Sequence, residues 1–170
     1  VKKLITTSNG QVFDPINSFK TNQIKLARLQ RKQRKKVKFS QNWKKQNCKI
    51  QKLHHHITNV RHDYLHKITT NISKNHAMIA CEDLKVANMS KSASGSVEKK
   101  GKNVKAKSGL NKSILDQGWG MMIDMLEYKQ HWQGGVLIKV NPRYTSQTCS
   151  QCQHITKENR QTQAKFECVQ

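Results

Sequence analysis

Hydrophobic positions along the chain change period several times, and each period predicts a different element. Val1–Thr7 and Gln11–Phe13 read as the two strands of a hairpin. Ser8-Asn9-Gly10 lies between them, and Asn-Gly supplies the positive φ angles that a tight turn needs. Pro15 ends the second strand. From Lys20 to Lys36 the spacing becomes helical, with Ile24, Ala27 and Arg31 on one side and mostly Lys and Arg elsewhere. A polar link around Phe39–Asn42 leads into a longer helix, roughly Gln41–Lys74. Its apolar positions, Ile50, Leu53, Ile57, Val60, Tyr64, Ile68 and Ile72, follow at intervals of 3, 4, 3, 4, 4 and 4. That narrow stripe is the seam of two antiparallel helices. At 1.5 Å per residue the second helix is about 50 Å long, too long for a crossover. Residues 20–75 are therefore expected to form a projecting helical hairpin.

Beyond the hairpin, Met78, Ile79, Ala80 and Cys81 form an apolar run of strand length, followed at once by Glu82 and Asp83. Open sheets place their chemistry at the carboxyl ends of strands, and a carboxylate there can hold a hard divalent metal. Lys85–Met89 then leads into residues 90–109, SKSASGSVEKKGKNVKAKSG, whose Ser, Gly and Lys content predicts a flexible basic loop. Asn111–His131 is the best amphipathic helix: Leu115, Trp119, Met122 and Leu126 recur at 4, 3 and 4, with Ile114, Ile123 and Met125 broadening the face. Gly118 and Gly120 within it point to close backbone approach. Gly134 and Gly135 end it, and Val136–Val140 reads as the next buried strand. The order of elements is that of an α/β protein.

Charge narrows the class of partner. The 170 residues carry 32 Lys and Arg against 10 Asp and Glu, a formal +22, with only 35% apolar residues. Such an excess calls for a polyanion, and nucleic acid is the first candidate. The hairpin concentrates it: Lys20–Lys52 holds thirteen cations, and no acid falls between Asp14 and Asp63. Like charges four apart repel on a helix, so Arg28, Arg31, Lys32, Arg34, Lys35, Lys36, Lys44 and Lys45 are assigned to a phosphate-binding surface with steep salt dependence. His54-His55-His56 point in different directions on a helix and are assigned to solvent. No apolar run is long enough to span a membrane.

Five cysteines, an odd number containing one CxxC, fit metal binding in a reducing compartment better than a disulfide framework. Cys149, Cys152 and Cys168 have the spacing C-x2-C-x15-C, which matches three ligands of a zinc ribbon. The fourth is expected three residues after Cys168, beyond Gln170, and His154 is a poor geometric substitute. Gln153 stands where knuckles often have a glycine for positive φ, so strain is expected there.

The strings ACEDLKVANMS, LNKSILDQGWGMMIDMLEYK and GGVLIKVNPRYTSQTCSQCQHITKENR, followed by FEC, resemble in their order the OrfB/TnpB-type transposases of insertion sequences. The resemblance covers nearly all of the chain. It implies an RNase H-like (RuvC-type) nuclease fold with a mixed sheet, an inserted basic helical hairpin and a zinc ribbon near its end. Residues 1–140 would be an incomplete nuclease domain, with the hairpin at 20–75 and the loop at 90–109, and 141–170 a truncated ribbon. Full-length members are RNA-guided DNA endonucleases, which implies DNA and guide RNA as partners and a bacterial or archaeal cytoplasm as the location. Glu82 matches the family's second catalytic, magnesium-binding acid. Cys149, Cys152 and Cys168 match three zinc ligands. The first catalytic acid is expected in a D-x-G segment before Val1 and the third in an A-D-x-N segment after Gln170; Asp14, Asp116 and Asp124 match neither context. The segment itself is therefore expected to be catalytically incomplete. A reading of another class stays open beside it, a non-catalytic nucleic-acid-binding zinc-ribbon protein or an inert remnant.

Overall fold

The computed structural model describes residues 1–162 and 165–170. Strands β1 (Ile5–Thr6) and β2 (Val12–Phe13) pair antiparallel, Ile5 opposite Phe13. Of the two turn residues singled out, only Gly10 adopts positive φ, at 82°. Asn9 instead accepts from the Thr7 hydroxyl and the Gln11 N–H through its side chain, the local bonding that suits Asn to turns.

Helices α1 (Ser18–Arg34) and α2 (Gln41–Asn75) form the expected hairpin. Ser40 caps α2 by accepting from the Trp43 N–H at 3.2 Å, which satisfies one orphan donor of the first turn. The buried side of α1 differs from the expectation. Leu26 is buried, with Phe19 and Leu29 beside it, against Ile50, Leu53 and Ile57 of α2. Ile24 is 67% exposed, because the seam follows the 19/26/29 positions and leaves 24 on the outer face. Two amides fix the pairing: Gln46, buried, donates to the Leu29 carbonyl at 3.1 Å, and Gln33 donates to Asn47 at 3.1 Å.

The α2 stripe also shifts along the helix. In its second half the buried residues are Leu65, Ile68, Thr69, Ile72 and Ser73, and Tyr64 is half-buried with its hydroxyl on the Asp14 carbonyl at 2.7 Å. A helix of 3.6 residues per turn drifts relative to a fixed seam, so the first half faces α1 and the second faces a different partner.

That partner follows from a second correction. The helix expected over 111–131 is two helices, α4 (Val104–Gln117) and α5 (Trp119–Trp132), after a one-turn α3 (Val86–Met89). The loop correspondingly ends at Asn103 rather than Gly109. Gly118 breaks the helix at φ 70°, a conformation costly for any residue with a Cβ. A Cβ there would lie 3.0 Å from the Arg61 Cδ and 3.1 Å from the Leu65 Cδ1. The expected close approach is thus to α2, whereas Gly120 has open space around it. Leu115, given to the apolar face of a single helix, is 53% exposed on the α4 side of the break. Met122, Met125 and Leu126 of α5 pack on Leu65, Ile68 and Ile72 of α2 with Leu4, forming the main core. Trp119 closes it by donating to the Leu4 carbonyl at 3.1 Å.

Strands β3 (Met78–Glu82) and β4 (Val136–Val140) are parallel and in register, Met78 beside Val136 and Glu82 beside Val140. The described strands form two separate pairs, β1 with β2 and β3 with β4, in a helix-rich α/β architecture. Neither β3 nor β4 is buried on both faces, as their continuous apolar runs suggested. Ile79 and Leu137 turn toward the main core, while Met78, Val136, Ile138 and Val140 are 64, 56, 42 and 42% exposed on the other face. A cleft of about 820 Å³ lies between β3, the β1 segment and α5, lined by Leu4, Ile79, Cys81, Trp119 and Met122 among others.

Candidate functional site

Glu82 is the last residue of β3, and its in-register partner Val140 is the last of β4. The two strands therefore end side by side. The Asp83 N–H donates to the Val140 carbonyl at 2.8 Å, which continues the pairing one step into the turn. Glu82 is exposed and on the same sheet face as Met78. Its Oε1 accepts from the Thr145 hydroxyl at 3.2 Å. Asp83 is instead engaged by Lys85 at 2.6 Å. Adjacent strand residues face opposite sides, so the two acids that look alike in sequence have different surroundings. Thr145 had no spacing signal; it reaches Glu82 because the turn after β4 folds back over the strand ends.

Asp116 is a different kind of acid. It is buried and accepts from the backbone N–H groups of Phe19 (2.9 Å) and Lys20 (3.1 Å) and from the Ser18 hydroxyl (3.2 Å). Arg61 pairs with it at 3.3 Å. A carboxylate on the first N–H groups of a helix completes their hydrogen bonding and complements the helix dipole. Asp116 clamps α1, α2 and α4 together, and its neighbours are structural donors.

The cysteine segment assembles as its spacing predicts. Cys149, Cys152 and Cys168 bring their sulfur atoms within 4.8 Å of one another, with Cys152 and Cys168 at 3.5 Å. Zinc–sulfur bonds of about 2.3 Å at the tetrahedral angle place thiolates about 3.8 Å apart, so this cluster fits a metal such as zinc, with one tetrahedral position left for a further donor. Gln153 has φ 61°, the left-handed conformation expected of it, and its N–H donates to the Cys149 carbonyl at 2.9 Å. The Cys152 and Gln151 N–H groups aim at the Cys149 sulfur and lower its thiol to about 7. Stabilised thiolate is the form that ligates metal. His154 contributes its carbonyl, which accepts from the Cys149 N–H, and its side chain is exposed.

Asn159, fully buried, holds the two cysteine segments together. Its amide donates to the carbonyls of Gln147 (2.9 Å) and His154 (3.0 Å), and its Oδ1 accepts from the Val169 N–H at 3.1 Å. Its carbonyl accepts from Glu167 at 2.8 Å. Cys168 lies between those last two contacts and is brought to Cys152 by them. A lone Asn in a polar stretch carried no sequence signal for this.

The hairpin cations fall into two groups. Arg28, Arg31, Lys32, Arg34 and Lys35 line a concavity of about 620 Å³ on α1. Lys44 and Lys45 are exposed on α2, Lys36 is half-buried between the helices, and none of these three lines the concavity. The side chains of His54, His55 and His56 are exposed. Among the described residues no helix is long and apolar enough to cross a membrane.

Comparison with known proteins accounts for this combination. Residues 1–93 match the family OrfB_IS605, described as "Probable transposase", and residues 119–170 match "Cas12f1-like, TNB domain". The chain is 63% identical over 168 residues to "Putative RNA-guided DNA endonuclease InsQ" of Escherichia coli (strain K12), covering 99% of this chain and 42% of that protein. It is 31% identical over 153 residues to a "Putative RNA-guided DNA endonuclease" of Streptomyces pristinaespiralis, covering 34% of that protein. A 42-residue stretch is 52% identical to "CRISPR-associated endodeoxyribonuclease Cas12f1" of Syntrophomonas palmitatica. The chain thus spans less than half the length of these relatives. With a family match over more than half of its residues, the chain belongs to the OrfB_IS605 transposase family.

Proposed function

We propose that this chain is the part of an RNA-guided, RuvC-type DNA endonuclease that carries the middle catalytic acid, Glu82. Magnesium bound in the complete site would supply activation of water and stabilisation of the leaving oxygen of a phosphodiester. The observation carrying the reading is the exposed Glu82 carboxylate at the shared end of two in-register parallel strands, in a chain whose relatives are named as endonucleases. Glu82 would supply one oxygen ligand to such a centre. One carboxylate is not a magnesium site, because the ion keeps most of its waters, and Asp83 is already paired with Lys85.

The remaining parts have supporting roles in this reading. The cations of α1 and α2 neutralise phosphates of the guide RNA or the DNA and release their counterions. The Cys149, Cys152 and Cys168 cluster would hold zinc as a structural centre, and zinc would there cross-link the segment that carries Thr145 and so steady the Glu82 carboxylate.

The test uses a protein of the relatives' length carrying this segment. Glu82→Gln is expected to lower magnesium-dependent cleavage of guide-complementary DNA by at least about a hundredfold, with guide-RNA binding unchanged. Unimpaired cleavage overturns the assignment. Metal-dependent cleavage by the 170-residue chain that Glu82→Gln abolishes would keep Glu82 as a catalytic acid and overturn the incompleteness of the site.

A further inference from the structure

The tip of the hairpin carries side chains that phosphate binding does not use. Between α1 and α2, Val37 is 79% exposed and Phe39 is 65% exposed. Phe39 has φ 65°, a left-handed conformation in which a bulky side chain is an outlier and Gly or Asn is the ordinary choice. Its ring meets Trp43 edge to face with centroids 5.5 Å apart, and the Lys38 ammonium lies 5.0 Å over it. The turn therefore holds an exposed Phe39 ring against a half-buried Trp43 at the end of two helices, with Arg34, Lys35, Lys36, Lys44 and Lys45 close by in the chain.

Those cations restrict what the rings can meet. A second copy of the same tip would set positive charge against positive charge. A polyanion offering flat apolar faces satisfies both features at once: its phosphates meet the cations and its unpaired bases meet the rings. Aromatic side chains beside a positive track are the physical basis of single-strand binding, with cations over the rings adding to it.

We propose that Phe39 and Trp43 form a stacking platform for an unpaired base of a single-stranded nucleic acid whose phosphates follow the hairpin cations. The proposal rests on the reading of the hairpin as a nucleic-acid surface. A base has the same π-face in DNA and RNA, so the sugar is a variable of the test.

Fluorescence anisotropy of the 170-residue chain decides it, with labelled oligothymidylate, oligouridylate and an abasic strand of equal length. The unaltered protein is expected to bind both base-bearing strands about tenfold more tightly than the abasic strand, the worth of one stacked base. Phe39→Asn suits the left-handed turn and removes the ring. It is expected to erase that tenfold preference, leaving abasic binding, the salt slope and the circular dichroism spectrum unchanged. Phe39→Trp should restore it. Equal binding of all strands by the unaltered protein overturns the platform, as does an equal loss on base-bearing and abasic strands in Phe39→Asn. A Phe39→Asn variant that keeps the preference places stacking elsewhere and overturns it too. If no strand binds, or binding ignores salt, the hairpin reading itself fails and the platform with it.

Discussion

The distal and basal halves of α2 use the same three-and-four spacing of aliphatic residues, yet they hold very different interfaces together. The distal half packs on α1 through Leu26, Ile50, Leu53 and Ile57, with buried Gln46 spanning the seam. The basal half meets α5 and the first strand through Leu4, Leu65, Ile68, Ile72, Met122, Met125 and Leu126. Two helices alone can enclose few side chains, so the distal seam is thin and open to solvent on both flanks. Three elements around Leu65 enclose it completely, at 0% exposure. Basic residues accumulate where the seam is thin, because a thin seam leaves most of each helix surface for cations.

The largest expected effect separates these halves. Leu65→Ala should cost about 4–5 kcal/mol in urea denaturation, since its surroundings cannot collapse into the cavity. Leu53→Ala should cost nearer 2–3 kcal/mol, because the two-helix seam can close over the gap. Equal costs would erase the distinction. Next comes Asp116, which ties the base of α1 to Arg61 at the middle of α2. Asp116→Ala orphans the helix N–H groups and leaves the Arg61 charge without its partner. A loss of about 3 kcal/mol is expected by the same measurement, and a loss below about 1 kcal/mol would show that the halves are held independently.

The smallest effect is pH-dependent and belongs to the basal half alone. His66 titrates below the usual 6.5 because burial, then the Lys129 ammonium and His62, disfavour its cation; Asp63 opposes them weakly. Its unfolded form binds a proton more readily than its folded form. The stability contributed by neutral His66 is therefore complete above pH 6.5 and is lost as pH falls from 6.5 through the folded pKa. Urea midpoints followed downward from neutral pH should fall less in His66→Gln than in the unaltered chain. An identical pH profile would remove His66 from that role.

These comparisons mark where the sequence was readable. The hairpin was, because a 35-residue helix repeats its spacing often enough to outweigh any single position. Leu65 was displaced by Tyr64 because a drifting seam makes neighbours equally plausible from spacing alone. The break at Gly118 was hidden since apolar periodicity runs across it, and only Arg61 and Leu65, distant in sequence, show why the chain must turn there. The cysteine knuckle, with its left-handed Gln153, was legible because CxxC is a local geometry. Asn159 and Thr145 were not, since their partners are set by folding back. Exposure of one face of β3 and β4 was missed because a continuous apolar run does not say how many faces are covered.

The junction between α2 and β3 has a mechanical consequence. Only His76 and Ala77 separate the last residue of a helix about 52 Å long from the strand ending in Glu82, and Gln130 grips that junction through the His76 carbonyl at 3.1 Å. The helix is a lever whose fulcrum is the basal core, with a long arm toward Trp43 and a short one toward Glu82. A tilt of about 5° about that core sweeps the far end through about 3 Å while the strand end shifts by a small fraction of that. Whatever load the tip bears arrives at the carboxylate as a fine adjustment.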